Sequence, residues 1–172
     1  MRLVEGGKDF DREAITRLVN NAYELETGDT GVAFKNTPRL LDNEDSGMGQ
    51  AYAEDRVVLA LGDGPDPELL GMIMWIVEDG VMYFGPLAVS VKAQGKRIGK
   101  KLIARVARLG QERGARFIDI SVVNWRTDIL PMYQRWGFVE TGHGDFPDPE
   151  RCTRPCFFIN LRGSIDELVN LA

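Results

Sequence analysis

The chain has one histidine, His143, and two cysteines, Cys152 and Cys156. A zinc or iron site built on imidazole and thiolate needs about four such ligands in close array. A C-x-x-x-C pair with a single histidine does not supply them, so no metal is expected, and the cysteines read as reduced thiols rather than a metal or redox pair. No apolar run reaches the roughly 18 residues of a membrane span. The opening MRLVEGGKDFDRE is charged where a secretory leader is apolar. The expectation is a cytoplasmic protein with no membrane partner. Positive charge is also in deficit: the formal net charge is -5. Proteins that grip a phosphate backbone carry a basic surface, so no nucleic-acid partner is expected. An acidic balance is compatible with a cationic or amine substrate. Neither G-x-x-x-x-G-K-[ST] nor G-x-G-x-x-G occurs, which removes the P-loop and the dinucleotide fingerprint.

Repeats, low-complexity runs and linkers are missing too. What remains is 172 residues, 44% hydrophobic and 27% charged, the balance of an ordinary globular protein and a length that suits one domain spanning 1–172. Met1–Val4 reads as a short strand. Asp11 can cap a helix whose Ile15, Leu18, Val19, Ala22 and Leu25 share one face. Thr27–Gly49 is polar, with a short helix expected around Thr37–Leu41. Arg56–Leu61 and Leu69–Val77 read as strands separated by a GDGPDPE turn. Asp79-Gly80 is a hairpin signal leading into a strand over Val81–Val91, with a bulge or kink at Gly85-Pro86. Ile98–Arg113 has the clearest helical period, with Ile98, Leu102, Val106 and Leu109 as its buried stripe, and Gly114 ends it. Phe117–Val123 is a strand, a helix carrying Met132, Tyr133 and Trp136 stops at Gly137, and Phe138–Thr141 and Cys156–Leu161 close the series. This order is an α+β pattern. The helix between Val81–Val91 and Phe117–Val123 requires those strands to run parallel.

The segment Leu87–Gly99 joins a strand to the start of the long helix. Unpaired N–H groups at a helix N-terminus, beside the positive end of its dipole, form an anion site. Lys96, Arg97, Lys100 and Lys101 add positive charge there. A solvated basic first turn explains the same residues. Within this segment Gln94-Gly95-Lys96-Arg97-Ile98-Gly99 resembles the coenzyme A loop, [RQ]-x-x-G-x-[GA], of the GNAT superfamily of N-acetyltransferases. Gln94 and Gly99 match its ends, and Arg97 stands where the superfamily usually has glycine. Downstream, Arg126–Phe138 resembles the superfamily's N-x-x-A-x-x-L-Y-x-x-x-G-F segment through Tyr133, Gly137 and Phe138. Met132 replaces the leucine, Ile129 the alanine and Arg126 the asparagine, with Asn124 nearby. The variant R-x-x-L-x-x-Y-x-x-x-G-[FY]-x-x-T-G, from a branch without an assigned substrate, is matched through Thr141 and Gly142, with Ile129 for its leucine.

The resemblance covers roughly Phe84–Gly142. It implies a twisted, mostly antiparallel sheet of about six or seven strands with about four helices. It implies acetyl-coenzyme A as cosubstrate, its diphosphate on Gln94, Gly95, Lys96, Arg97, Ile98, Gly99 and Lys100. Its pantetheine arm would lie along Leu87-Ala88-Val89, with Asn124 and Arg126 as further contacts. Tyr133 would be the general acid. A phenol ionises near pH 10, so it holds a proton to give at neutral pH; a core tyrosine with a satisfied hydroxyl is the bland reading. No base stands out among Glu26, Glu78, Asp79 and His143, and Trp75, Trp125 and Trp136 read as packing residues. The stretch Tyr23–Phe34 is a candidate for the acceptor pocket. The expected reaction is acetyl transfer to a primary amine of a small molecule. A protein N-terminus or lysine as acceptor, and a coenzyme A-binding module without catalysis, are the alternatives. A monomer and a homodimer are equally compatible with the sequence.

Overall fold

Apolar strand sequences joined by short polar turns, with one long amphipathic helix among them, decide most of the architecture. In the computed structural model, which describes residues 1–24 and 47–172, the chain opens with β1 (Arg2–Glu5) and α1 (Arg12–Ala22). The Asp11 carboxylate accepts from the Glu13 amide at 2.9 Å, satisfying one of the amides that a helix start leaves unpaired. A short α2 (Gly47–Ala53) leads to β2 (Val57–Leu61), β3 (Leu69–Glu78) and β4 (Val81–Val89). Then come α3 (Ile98–Glu112), β5 (Phe117–Val123), α4 (Leu130–Arg135), β6 (Val139–Asp145), β7 (Phe157–Ser164) and α5 (Ile165–Leu168). The helix expected over Thr37–Leu41 falls outside the described residues, as do Leu25 and Glu26.

The seven strands form one sheet in the order β1-β2-β3-β4-β5-β7-β6. Every neighbouring pair is antiparallel except β4 with β5. That exception follows from α3, because a helical crossover returns the chain in the same direction. All five residues of β2 are buried, and they alternate between two cores. Val58 and Ala60 face one core with Ile98, Leu102, Ile103, Val106 and Leu109 of α3. Val57, Leu59 and Leu61 face the other, with Ile15, Leu18 and Val19 of α1 and Ala51 and Tyr52 of α2. Each fully buried side chain of this kind contributes roughly 1.5–3 kcal/mol relative to exposure. The two cores therefore fix α1 and α3 on opposite faces of the first half of the sheet.

Strand ends differ from the sequence reading by a few residues. β4 stops at Val89 and a 3-10 turn, Val91–Ala93, follows it. β6 and β7 run on to Asp145 and Ser164. α2 and α5 are helices that the sequence reading did not contain. α5 is short, but its Ile165 and Leu168 are buried in the same core as α3 and Phe138. Gly163 is what lets it sit so close. A Cβ there would lie 2.6 Å from Leu168 Cδ1 and 3.1 Å from the Phe138 ring. Gly163→Ala should accordingly cost about 1–3 kcal/mol by overpacking. A urea midpoint equal to that of the parent protein would show that α5 is not seated as described.

Candidate functional site

β4 and β5 are paired only at their beginnings: Val81 with Phe117, Met82 with Ile118 and Tyr83 with Asp119. Beyond that point β4 stays with β3 as far as Val89, and β5 stays with β7 as far as Val123. Each strand is held on its outer side and the two part in the middle. The bulge expected at Gly85-Pro86 is present where they separate. Ile73 opposes Leu87 and Trp75 opposes Phe84, so two residues of β4 face one of β3.

The opening leads into a cleft of about 820 Å³. Its walls are the end of α1 (Asn21, Ala22, Tyr23, Glu24), the β4 edge (Leu87, Val89) and the junction into α3 (Val91, Ala93, Gln94, Gly95, Arg97, Ile98, Gly99, Lys100). The segment after β5 and its helix complete it, with Arg126, Asp128, Ile129, Met132, Tyr133 and Trp136. The size is that of a small-molecule site.

Gly95 has φ +76° and Arg97 φ +63°, both left-handed, and these two residues turn the chain into α3 at the cleft wall. Arg97 caps α3 through its carbonyl, which accepts from the Lys101 amide at 3.1 Å, and its side chain makes no capping bond. The amides of Ile98, Gly99 and Lys100 are unpaired by helix geometry and lie at the positive end of the dipole. Lys100 Nζ stands 5.8 Å from the Trp136 ring centroid. Among the sequence candidates, Leu87, Val89, Gln94, Gly95, Arg97, Ile98, Gly99, Lys100, Arg126 and Tyr133 come together around this cleft. Three stand apart. Ala88 is buried in the opposite core and offers only backbone. Lys96 is exposed but does not line the cleft. Asn124 is engaged elsewhere. Its Oδ1 accepts from the Phe157 amide, and its own amide donates to the Phe157 carbonyl, both at 3.0 Å, closing the end of the β5–β7 ladder.

Tyr133 is only 7% exposed. Its ring packs edge-on against Trp136 at 5.6 Å and Phe138 at 5.5 Å, and is tilted to Phe84 at 6.3 Å. Three aromatic rings thus set the position of one phenol at the cleft wall. Trp136, read from sequence as a packing residue, both packs and lines the cleft. Arg126 makes a bidentate pair with Asp128, both bonds 2.9 Å, and this guanidinium holds the Asp128 carboxyl below its usual pKa against the effect of burial. Asp128 is therefore a weak base. Glu78 and Asp79 sit at the β3–β4 hairpin, the far end of β4 from the cleft. His143 lies on the edge strand β6, paired with Glu140 Oε1 at 3.0 Å and stacked 5.1 Å from Phe157, away from the cleft. The sequence reading did not single out Asn21 or Asp128, and it placed Ala22 only on the apolar face of the first helix. Glu24, within the stretch proposed for the acceptor pocket, is an exposed carboxylate that does reach the cleft.

Among the described residues there is no group of three or more histidine, cysteine or carboxylate side chains that could hold a metal. No helix among them is long and apolar enough to cross a membrane.

The sequence model of the acetyltransferase (GNAT) family matches residues 19–138, more than half of the chain. No curated protein matches the sequence significantly. Among solved structures, the fold is similar to the ribosomal-protein-alanine N-acetyltransferase from Brucella melitensis, at 16% identity over 95% of this chain and 99% of that one, TM-score 0.71. It is also similar to an aminoglycoside 6'-N-acetyltransferase complexed with coenzyme A, at 15% identity over 96% and 97% of the two chains, TM-score 0.69. The IAA acetyltransferase from Bacillus cereus ATCC 14579 gives 18% identity over 95% and 98%, TM-score 0.64. At these identities the likeness concerns the fold.

The left-handed backbone at Arg97 is a conformation that glycine, usual in the superfamily at this position, adopts without strain, and it gives a direct test. A non-glycine residue in that region costs about 1–2 kcal/mol, partly offset by the extra freedom glycine has in the unfolded chain. Arg97→Gly should raise stability by about 0.5–1 kcal/mol, read as a higher urea midpoint. An unchanged or lower midpoint would mean the junction is not held as described.

Proposed function

The chain belongs to the GNAT family of acetyltransferases, and on that premise we propose that it transfers the acetyl group of acetyl-coenzyme A to a primary amine of a small molecule, with Tyr133 as general acid. The observation that carries this reading is the parting of β4 and β5. It leaves an open strand edge at Leu87–Val89, leads to unpaired amides at the start of α3, and passes a phenol on the opposite wall. The residues present fit the cosubstrate. Gly95 is accounted for by its left-handed backbone, but a Cβ at Gly99 would make only ordinary contacts, with Trp136 at 3.7 Å and Leu87 at 4.0 Å, so the fold does not require glycine there and the space is left for a ligand.

The chemistry follows from these positions. The acceptor nitrogen attacks the thioester carbonyl, a C–N bond forms and the C–S bond breaks. The sulfur leaves as a thiolate and takes the Tyr133 proton, which water restores. Water also receives the proton lost by the nitrogen. The chain's part is to hold the diphosphate on the α3 amides with Arg97 and Lys100, to line up the arm along β4, and to fix the phenol by aromatic packing. Glu24 gives the acceptor end a carboxylate, which suits an ammonium group.

Two substitutions test the assignment. Gly99→Asp places a carboxylate beside the diphosphate, while its Cβ meets only Trp136 at 3.7 Å and Leu87 at 4.0 Å, so the fold is expected to tolerate it. Coenzyme A stabilises the parent protein by RT ln(1 + [L]/Kd), and this thermal shift should vanish in the variant. Equal shifts in both proteins would remove the diphosphate from this junction. Tyr133→Phe keeps the ring and removes the proton. Affinity for acetyl-coenzyme A should stay near the parent value while turnover falls by about 10²-fold or more, followed as free thiol released. If melting temperature and affinity fall together and turnover per bound complex does not, Tyr133 is a packing residue.

A further inference from the structure

The connection between β6 and β7 brings Cys152 and Cys156 together. A turn at Pro149–Arg151, closed by the Arg151 amide on the Asp148 carbonyl and the Cys152 amide on the Pro149 carbonyl, both 3.1 Å, presents the first thiol. Cys152 Sγ lies 3.9 Å from the Asp148 carbonyl and Cys156 Sγ 3.2 Å from the Arg154 carbonyl. Both side chains are half-buried and pack, with Phe146, against Val123. The same connection is fastened to the end of β5. The Trp125 indole donates to the Pro155 carbonyl, next to Cys156, at 2.9 Å, and the Arg154 guanidinium lies 4.2 Å over the Trp125 ring. The next residue, Arg126, lines the cleft.

We propose that Cys152 and Cys156 form a dithiol modification site that reacts with small-molecule disulfides such as glutathione disulfide and closes to an intramolecular Cys152–Cys156 bond, displacing Trp125 and with it Arg126. Two thiols packed on one side chain, Val123, with three residues between them lie within reach of the separation a disulfide requires. Burial first, then the contact with Cys152, pushes the Cys156 thiol up to about 11, so at neutral pH it is almost wholly protonated and Cys152 attacks first. Its thiolate displaces one thiolate from the small disulfide and becomes a mixed disulfide. Once Cys152 is capped, it no longer holds the Cys156 thiol up. Cys156 then gives its proton to water, attacks Cys152 Sγ and expels the second small thiolate. Two protein thiols and one disulfide become one protein disulfide and two small thiols; the two electrons pass to the small disulfide.

The test uses the full chain in glutathione buffers of rising oxidised fraction. The parent protein should reach an intact mass lower by two hydrogens, without added glutathione, at a ratio independent of protein concentration. Cys152→Ser and Cys156→Ser should each stop as a glutathione adduct. Trp125 emission should change with oxidation in the parent and not in Trp125→Phe. A parent protein that stays reduced, carries only adducts, or links into dimers would overturn the site. A second arm rests on the coenzyme A reading: reduced and oxidised protein should differ in coenzyme A affinity by about fivefold or more. Equal affinities, with coenzyme A still binding, would overturn the link to Arg126. Loss of binding in both forms would count against the coenzyme A reading and leave the mass result standing.

Discussion

The structure turns on three hydrogen-bonded positions. β4 and β5 are joined only from Val81–Tyr83 to Phe117–Asp119, and the strand residues that line the cleft lie beyond them. A buried strand that loses its neighbour leaves amides and carbonyls that need other partners. One of them already has a substitute: the Leu87 carbonyl accepts from the Tyr23 hydroxyl at 3.3 Å. This bond ties the end of α1 to the open edge. It also marks the edge as a place where a donor from outside the sheet is accepted. The divergence is stable because neither strand depends on the other. β4 is carried by β3, β5 by β7, and α3 covers the join with a continuous apolar stripe.

That same helix supplies the electrostatics. A protein of net charge -5 repels a polyanionic cosubstrate at long range. At the start of α3 the local charge has the other sign: the helix dipole, its unpaired first amides, Arg97 and Lys100 lie together at the cleft wall. Keeping arginine at a left-handed position stabilises nothing in the fold itself, and the backbone would be more comfortable with glycine. What arginine adds there is a cationic side chain at the cleft wall.

Much of this was legible in the sequence because it is written in local chemistry. The period of Ile98–Leu109 and the cap at Asp11 are sequence-local, as are the bulge at Gly85-Pro86 and the helix junction at Gln94–Gly99, and all appear where the residues suggested. Asn124 marks the limit of such reading. Motif position cannot tell a side chain that faces a ligand from one that closes a ladder with Phe157, a partner that only the strand pairing brings near. α5 was missed because a four-residue helix has no period to read; Gly163 and the buried Ile165 and Leu168 hold it by tertiary contact alone. The two cysteines look like an ordinary reduced pair in one dimension. Only the turn at Pro149–Arg151 and the contact with Trp125 give them a shared environment.

The two walls of the cleft are built on different terms, and this bears on what each can recognise. The wall from α3 and α4 belongs to the larger core: Ile98 is buried, and Ile129, Met132, Tyr133 and Trp136 all pack on or within it. Moving any of them disturbs that core, so their geometry is over-determined, as a site for a constant cosubstrate requires. The facing wall, Asn21–Glu24, is the last turn of α1 and the residues just past it. The buried anchors of α1, Ile15, Leu18 and Val19, lie further back in the helix. Asn21 and Glu24 there can change with little cost to either core, whereas Ala22 and Tyr23 pack against the second one. If the acceptor of the proposed reaction meets this wall, Asn21 and Glu24 are the positions free to vary with it, and they lie where sequence motifs are weakest.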